Sequence, residues 1–431
     1  MALAVVRPGG QRARRTAGWL ASLVALWIVG CGGPQRAGPQ LTALQRAQKA
    51  LDQGRLREAN EAIRADAEAG DRDAILLSAE ISMRGGQYAD AVVRLERARV
   101  KWPEDDGIIA ALARAYDGAG NPDEAMRAYA DVLRKHPEDA GAALRLAELL
   151  LGQGNAALAS QATAAALKSH PDHGPLLAVH ARALLARGRL PQALAAAKHA
   201  TEVAPANPAT WLELARAEAA MGEHAAAITH LERLLAIDGN HVHALILLGT
   251  LHLDGGKAAL AVVALQRAAA IAADDVAILN LLAVALDANG DARAALEVLE
   301  RAVALAPRLV ALRRNVAEIL LSSGYCERAF DEAARAVELA RSQSEDAGHP
   351  DRVGAEETLA RTIVVRALVR ATCGGQRDVA AVRAAIQQDL HSAGLHLTEE
   401  AIDRAAVESK AAVVRATTTC RPAAPAPGGT P

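Results

Sequence analysis

Apolar positions along this chain recur at helical spacing. Trp211, Leu214 and Ala215, and one period later Leu245, Leu248 and Gly249, lie three and four residues apart on one helix face. No long alternation of period two appears, so the pattern predicts helices and no credible strand. A longer beat organises these helices. Pro103, Pro137, Pro171 and Pro205 are each 34 residues apart, and Pro307 lies three periods further on. Gly86, Gly120, Gly154, Gly188, Gly222, Gly256, Gly290 and Gly324 keep the same interval. Five residues after each comes alanine: Ala91, Ala125, Ala159, Ala193, Ala227, Ala261, Ala295 and Ala329. With about one glycine in thirteen, eight in register has a chance probability on the order of 10⁻⁹, which excludes coincidence.

Each slot has a physical task. The glycine ends one helix and turns the chain back into the next. The alanine, on the first turns of that second helix, is small enough for two helices to approach closely. The proline stops the second helix and sets the link to the next unit. One unit is therefore a helix, a tight turn, an antiparallel helix and a short link. No such unit can bury its apolar face alone, so neighbours must stack into a continuous core. The fold class is all-α.

In the unit 106–139, Leu112, Ala113, Tyr116, Gly120, Ala125, Tyr129 and Pro137 fill nearly every signature slot of a known repeat. The sequence resembles the tetratricopeptide repeat family. That resemblance implies a right-handed superhelical solenoid of helical hairpins, whose first-helix face lines a protein-binding groove. Other units depart from the pattern, with Leu or His where an aromatic is usual and Ala in place of the small glycine of the first helix. Eight regular units run from 72 to 343, and an irregular one, with Gly54 and Ala59, precedes them, giving a solenoid over 41–343. After a polar stretch at 341–353, three helical segments are expected near 355–373, 376–392 and 398–416. Gly375 and Ala380 keep the five-residue relation, so 355–392 reads as a decayed hairpin. The region 344–416 would then be a degenerate helical cap, and 417–431 a disordered tail.

The N-terminus reads differently. Arg7, Arg12, Arg14 and Arg15 precede an uncharged apolar run from Ala17 to Gly30, too short to span a bilayer comfortably but suited to a signal peptide. It closes on Ile28-Val29-Gly30-Cys31, which resembles the bacterial lipobox. The expectation is a signal peptide over 1–30, lipid attachment at Cys31, and a flexible tether over 31–40. Gly32 stands where an Asp would resemble an inner-membrane retention signal. The outer membrane, facing the periplasm, is therefore expected, with the inner membrane as the alternative.

Composition narrows the function. Aromatics make up 2% of the chain, with one Phe, Phe330, which suits helix packing built on Ala and Leu. The net charge is −2, and the first thirty residues carry four arginines and no acid, so the remainder is mildly acidic. Nucleic acid is excluded as a partner on that ground, since it needs a concentrated basic face. Histidines crowd the middle, among them His170, His173, His180, His199, His230, His241, His243 and His252, but none is spaced with a second ligand as a metal site requires. No phosphate loop, nucleophile elbow or dinucleotide fingerprint is present. The reading is of a binding protein with no cofactor, no metal, no catalytic residues and no small-molecule substrate. An enzyme site within 344–416 is the competing class.

The resemblance places partner binding on the first-helix face, where Arg114, Leu144, Glu148, Arg182, Leu212, Arg216 and Asn280 are the candidates. Arg182 and Arg216 occupy the same slot in adjacent units, flanked by Leu144 and Leu212. They read either as a basic patch with apolar shoulders for a carboxylate-bearing segment or as a solvated face of ion pairs. The partners would be other envelope proteins, with the membrane reached through Cys31. Family analogy adds pilotin-like and polysaccharide-export accessory lipoproteins as alternatives. Three cysteines remain beyond Cys31. Cys326 and Cys373 lie beside turns expected on one edge of the solenoid and could pair, although stacked hairpins roughly 9 Å apart would hold them too far from each other. Cys373 with Cys420 is the competing pair.

Overall fold

The computed structural model describes residues 41–345, 352–374, 379–395 and 398. Among them the regular structure is twenty helices and no strand. The chain divides into two compact units, with the boundary after Gly85. That boundary falls inside the first regular repeat, 72–105. The expected signal peptide, the tether with Cys31, the helix 398–416 beyond Thr398, and the tail with Cys420 lie outside the described residues.

The first unit holds α1 (Ala43–Asp52), α2 (Leu56–Glu68) and α3 (Arg72–Arg84). Thr42 starts it with a capping box: its hydroxyl accepts from the Gln45 backbone N–H, and the Gln45 side chain accepts from Thr42 N–H. Ala47, Leu51, Ala59, Ile63, Ala74 and Ile81 close its core.

The second unit opens with α4 (Tyr88–Lys101) and continues in antiparallel pairs. These are α5 (Asp106–Gly118) with α6 (Pro122–Lys135), α7 (Ala140–Gly152) with α8 (Ala156–Leu167), and α9 (Gly174–Ala186) with α10 (Leu190–Val203). Next come α11 (Pro208–Ala220) with α12 (His224–Ile237), α13 (Val242–Asp254) with α14 (Ala258–Ile271), and α15 (Val276–Ala288) with α16 (Ala292–Leu305). Then α17 (Val310–Ser322) pairs with the longer α18 (Cys326–Glu345), followed by α19 (Arg352–Cys373) and α20 (Val379–Ser392).

The repeat slots carry the packing. All eight alanines that follow the turn glycines are fully buried. A second 34-residue series, Ala113, Ala147, Ala181, Ala215, Ala283 and Ala317, is buried as completely at the close approach within each hairpin. Gly249 holds that slot in α13, and a Cβ there would stand 2.6 Å from Leu265 Cγ. The hairpin turns are alike, as Gly222 shows: its φ is +81°, and the following Glu223 N–H reaches back to Glu218 O at 2.8 Å. A third series was missed in the sequence. Asp105, Asp139, His173, Asn207, His241 and Asp275, each 34 residues apart, accept a backbone N–H at the start of α5, α7, α9, α11, α13 and α15. Two of the clustered histidines are thus helix caps.

At the C-terminal end, Val310, Val337, Ala340, Leu359, Ile363, Ala367, Val382, Ile386 and Leu390 join α17, α18, α19 and α20 in one core. Helices α19 and α20 occupy the place of the expected decayed hairpin.

Candidate partner-binding face

The odd-numbered helices from α5 to α17 present the face on which the sequence placed partner binding. Its middle is built on α11. Pro208 sits in the first turn of that helix, Asn207 caps it, and Trp211 Nε1 donates to Pro205 O at 2.8 Å, which fixes the helix start against the preceding link. Helical spacing then sets Arg216 one turn beyond Glu213. Arg216 Nη1 donates to Glu213 Oε1 at 3.3 Å, and Arg182 Nε of α9 lies 4.0 Å from the same oxygen. Two guanidinium groups from adjacent units therefore converge on one carboxylate.

Glu213 is 4% exposed, whereas the side chains of Arg182 and Arg216 are 36% and 33% exposed. Its second oxygen, Oε2, is buried without a hydrogen-bond partner, and so is Arg182 Nε. Burial pushes the Glu213 carboxyl above the usual carboxylate range, against the opposing pull of Arg216 and Arg182. On α13, burial lowers the affinity of His243 for a proton, and Arg216, His241 and Arg182 lower it further. The cluster is thus a buried acid roofed by two part-exposed cations, with a histidine beside them.

The two arginines are visible as one slot of adjacent units, whereas the acid beneath them is not. In the two adjacent units the slot of Glu213 holds the apolar Val179 and Leu247, so its immediate neighbours give no sign of a buried charge there, although Arg145 fills the same slot two units earlier. Leu212 requires a correction. It is 7% exposed and packs with Trp211, Leu231 and Leu248, because its direction on α11 points into the hairpin core and not onto the face. Leu144 is half-buried against the core of α5–α8. The arginines consequently lack the apolar shoulder expected from Leu212.

The other candidates are placed as follows. Arg114 is exposed on α5. Glu148 pairs with Arg145 of its own helix, and Arg145 grips Asp117 side-on, with Nε and Nη2 donating at 2.8 and 3.0 Å. Tyr129 OH adds a hydrogen bond to Asp117 at 3.3 Å, and burial beside that carboxylate pushes the phenol up to about 12. Asn280 Oδ1 accepts from Asn315 Nδ2 at 2.7 Å, joining α15 to α17. Cys326 and Cys373 are joined as a disulfide, with Cα atoms 5.6 Å apart. They sit at the start of α18 and the end of α19, two antiparallel helices in direct contact, which is why the spacing of stacked hairpins did not apply.

Three more of the histidines have local side-chain partners. His180 Nδ1 lies 2.7 Å from Thr163 Oγ1, His199 Nε2 is 2.9 Å from Asp172 Oδ1, and His230 Nδ1 is 2.7 Å from the buried Glu218. Among the described residues no helix is long and apolar enough to cross a membrane.

Comparison with known proteins fits this geometry. Family models described as tetratricopeptide repeat match residues 82–130, 118–183, 184–247 and 218–285, and a second such model matches 276–309; together they cover more than half of the chain. The chain belongs to the tetratricopeptide repeat family. Among solved structures it is similar to a tetratricopeptide repeat protein from Parabacteroides merdae, at 18% identity over 57% of this chain and 97% of that one, with a TM-score of 0.47. MamA from Desulfovibrio magneticus is 24% identical over 39% of this chain and 96% of its own, with a TM-score of 0.38. A thermophilic TPR protein of Thermus thermophilus is 23% identical over 42% and 99%, also at 0.38. The search of curated proteins finds no match. Tetratricopeptide-repeat architecture is that of a protein–protein interaction scaffold, a fold typically without catalysis.

Proposed function

We propose that this tetratricopeptide-repeat protein is a non-enzymatic scaffold of the bacterial envelope. It is held at the outer membrane through lipid on Cys31, faces the periplasm, and grips a segment of another envelope protein on its first-helix face. The observation that carries the binding reading is the convergence of Arg182 and Arg216 over Glu213, with both guanidinium groups partly open to solvent. Paired arginines from two units suit bidentate recognition of a carboxylate. The membrane reading draws on the basic, apolar and small-residue order that ends in Gly30-Cys31. The Cys326–Cys373 bond supports it, because structural disulfides persist in oxidising compartments.

Two measurements test the two halves. Metabolic labelling with palmitate should tag the wild type and not Cys31→Ser; equal labelling removes the anchor. Crosslinking in intact cells should lose its specific adducts when Arg182 and Arg216 are both changed to Glu in a Glu213→Gln background, which leaves no buried carboxylate without its cations, while helicity and melting stay close to those of Glu213→Gln alone. Reversing a desolvated charge partner costs about 2–5 kcal/mol of binding. Unchanged adducts with unchanged salt dependence would reduce the arginines to a solvated face.

A further inference from the structure

We propose that a carboxylate-bearing segment docking on Arg182 and Arg216 makes Glu213 take up a proton, so that this face binds acidic partners more tightly as pH falls. The inference rests on the partner face described above and specifies both the chemistry of the partner and its regulation.

The geometry supplies the coupling. Two guanidinium groups share one counter-charge, and they reach it only through Oε1, at 3.3 and 4.0 Å. Their solvent-facing edges are the only part an incoming group can reach, since Glu213 lies behind them and its Oε2 is buried. An incoming carboxylate therefore competes with Glu213 for the same cations. Two carboxylates drawn to one pair of arginines disfavour each other's ionised form, and the buried one, poorest in hydrogen bonds, yields first. The chemistry is a simple proton gain: one proton from solvent joins the Glu213 carboxylate, most readily at the unpartnered Oε2, and no other bond is made or broken. Burial already favours that protonated form, and each arginine drawn toward a partner takes away part of what opposes it.

The surroundings leave few competitors for the proton. The charged groups acting on Glu213 are Arg216 of its own helix and Arg182 of α9. From α13, His243 lies close enough to feel both arginines. Helices α10 and α12 contribute the apolar Ala197, Leu231 and Leu234 to the core in which α11 packs. His243 is thus the rival proton acceptor, and the experiment must separate it from Glu213.

The test is calorimetry on the full chain, titrated with a panel of acetylated twelve-residue peptides carrying Asp-Asp or Glu-Glu beside leucine. Measurements run from about pH 6.5 to 8 in two buffers of different ionisation enthalpy, which count protons directly. The expected result is uptake of up to one proton per peptide bound, with Kd falling by up to about tenfold per unit drop in pH. Glu213→Gln should bind at least as tightly with no such uptake, and His243→Gln should keep it. Peptide binding without proton uptake in the wild type overturns this inference and leaves the partner face standing. Uptake that survives Glu213→Gln but disappears in His243→Gln assigns the proton to the histidine and overturns it too. No peptide binding at any pH removes the face itself. The proton count on the wild type and on His243→Gln carries the test if Glu213→Gln does not fold.

Discussion

Two buried acids in this molecule sit under pairs of arginines, and they differ in how tightly they are held. At the C-terminal end, Asp389 of α20 faces Arg366 and Arg370, one turn apart on α19, at 3.6 and 2.9 Å. On the proposed partner face, Glu213 faces Arg216 of its own helix and Arg182 of α9 at 3.3 and 4.0 Å. The Asp389 pair crosses from one helix to the next and includes a hydrogen bond of charge-assisted length, so it fastens α20 to α19. The Glu213 contacts are looser, and their cations come from two repeat units. Both acids keep one buried oxygen without a hydrogen-bond partner, so the difference lies in the shorter contacts at Asp389 and in the two units that supply the cations of Glu213.

The sharpest way to break this comparison is to loosen the bolted end. The Cys326–Cys373 bond ties α18 to α19 beside the Asp389 cluster. Replacing both cysteines by Ser is expected to lower stability by about 2–4 kcal/mol, the range typical of a natural disulfide. Amide exchange should speed up in α19 and α20 while α9–α13 keep their protection, because repeat arrays couple mainly to nearest neighbours. Equal loss of protection across the array would mean that the two regions are not separate. A smaller effect is expected from Asp389→Ala. It leaves Arg366 and Arg370 without their acid, at about 1–2 kcal/mol once the part-exposure of both arginines is allowed for. Thermal melting checks it, and a change within error would place Asp389 with the surface pairs.

The two regions were not equally legible in the sequence. Slots whose task is local and repeated were readable: the glycine at Gly222 and the small residue at Ala227 recur every 34 residues, and the proline at Pro205 recurs in most units, with Gly239 and Ala273 in its place in two. Family membership and the all-α solenoid followed from them. Glu213 was not readable, because its burial arises from stacking between units and its slot is apolar in the neighbours. Leu212 was misplaced for a related reason. One step along a helix turns a side chain by about 100°, so a face assigned by slot number can be off by a whole direction. His173 and His241 looked like scattered histidines until their register with Asp105, Asp139 and Asp275 showed them to be caps. The disulfide depended on which helix ends meet, and that was visible only once α18 and α19 were seen side by side.

The smallest expected effect concerns Glu213 without any partner, and it separates the two clusters by pH. Burial raises this carboxyl above its ordinary range, so the folded chain keeps a proton that the unfolded chain has already released. Wherever the folded state binds more protons, stability declines as pH rises. The decline should begin at the ordinary glutamate range and end once pH has passed the raised folded value, above which the full penalty of a buried, half-satisfied carboxylate is present. Glu213→Gln removes the titration, so its stability relative to wild type should improve with pH across that window and then level off. Denaturant titrations of both proteins at several pH values would show this as a difference that grows and then saturates. Were the difference instead to shrink as pH rises, the native arginines would be holding Glu213 as firmly as Arg370 holds Asp389, and the partner face would be a second bolt.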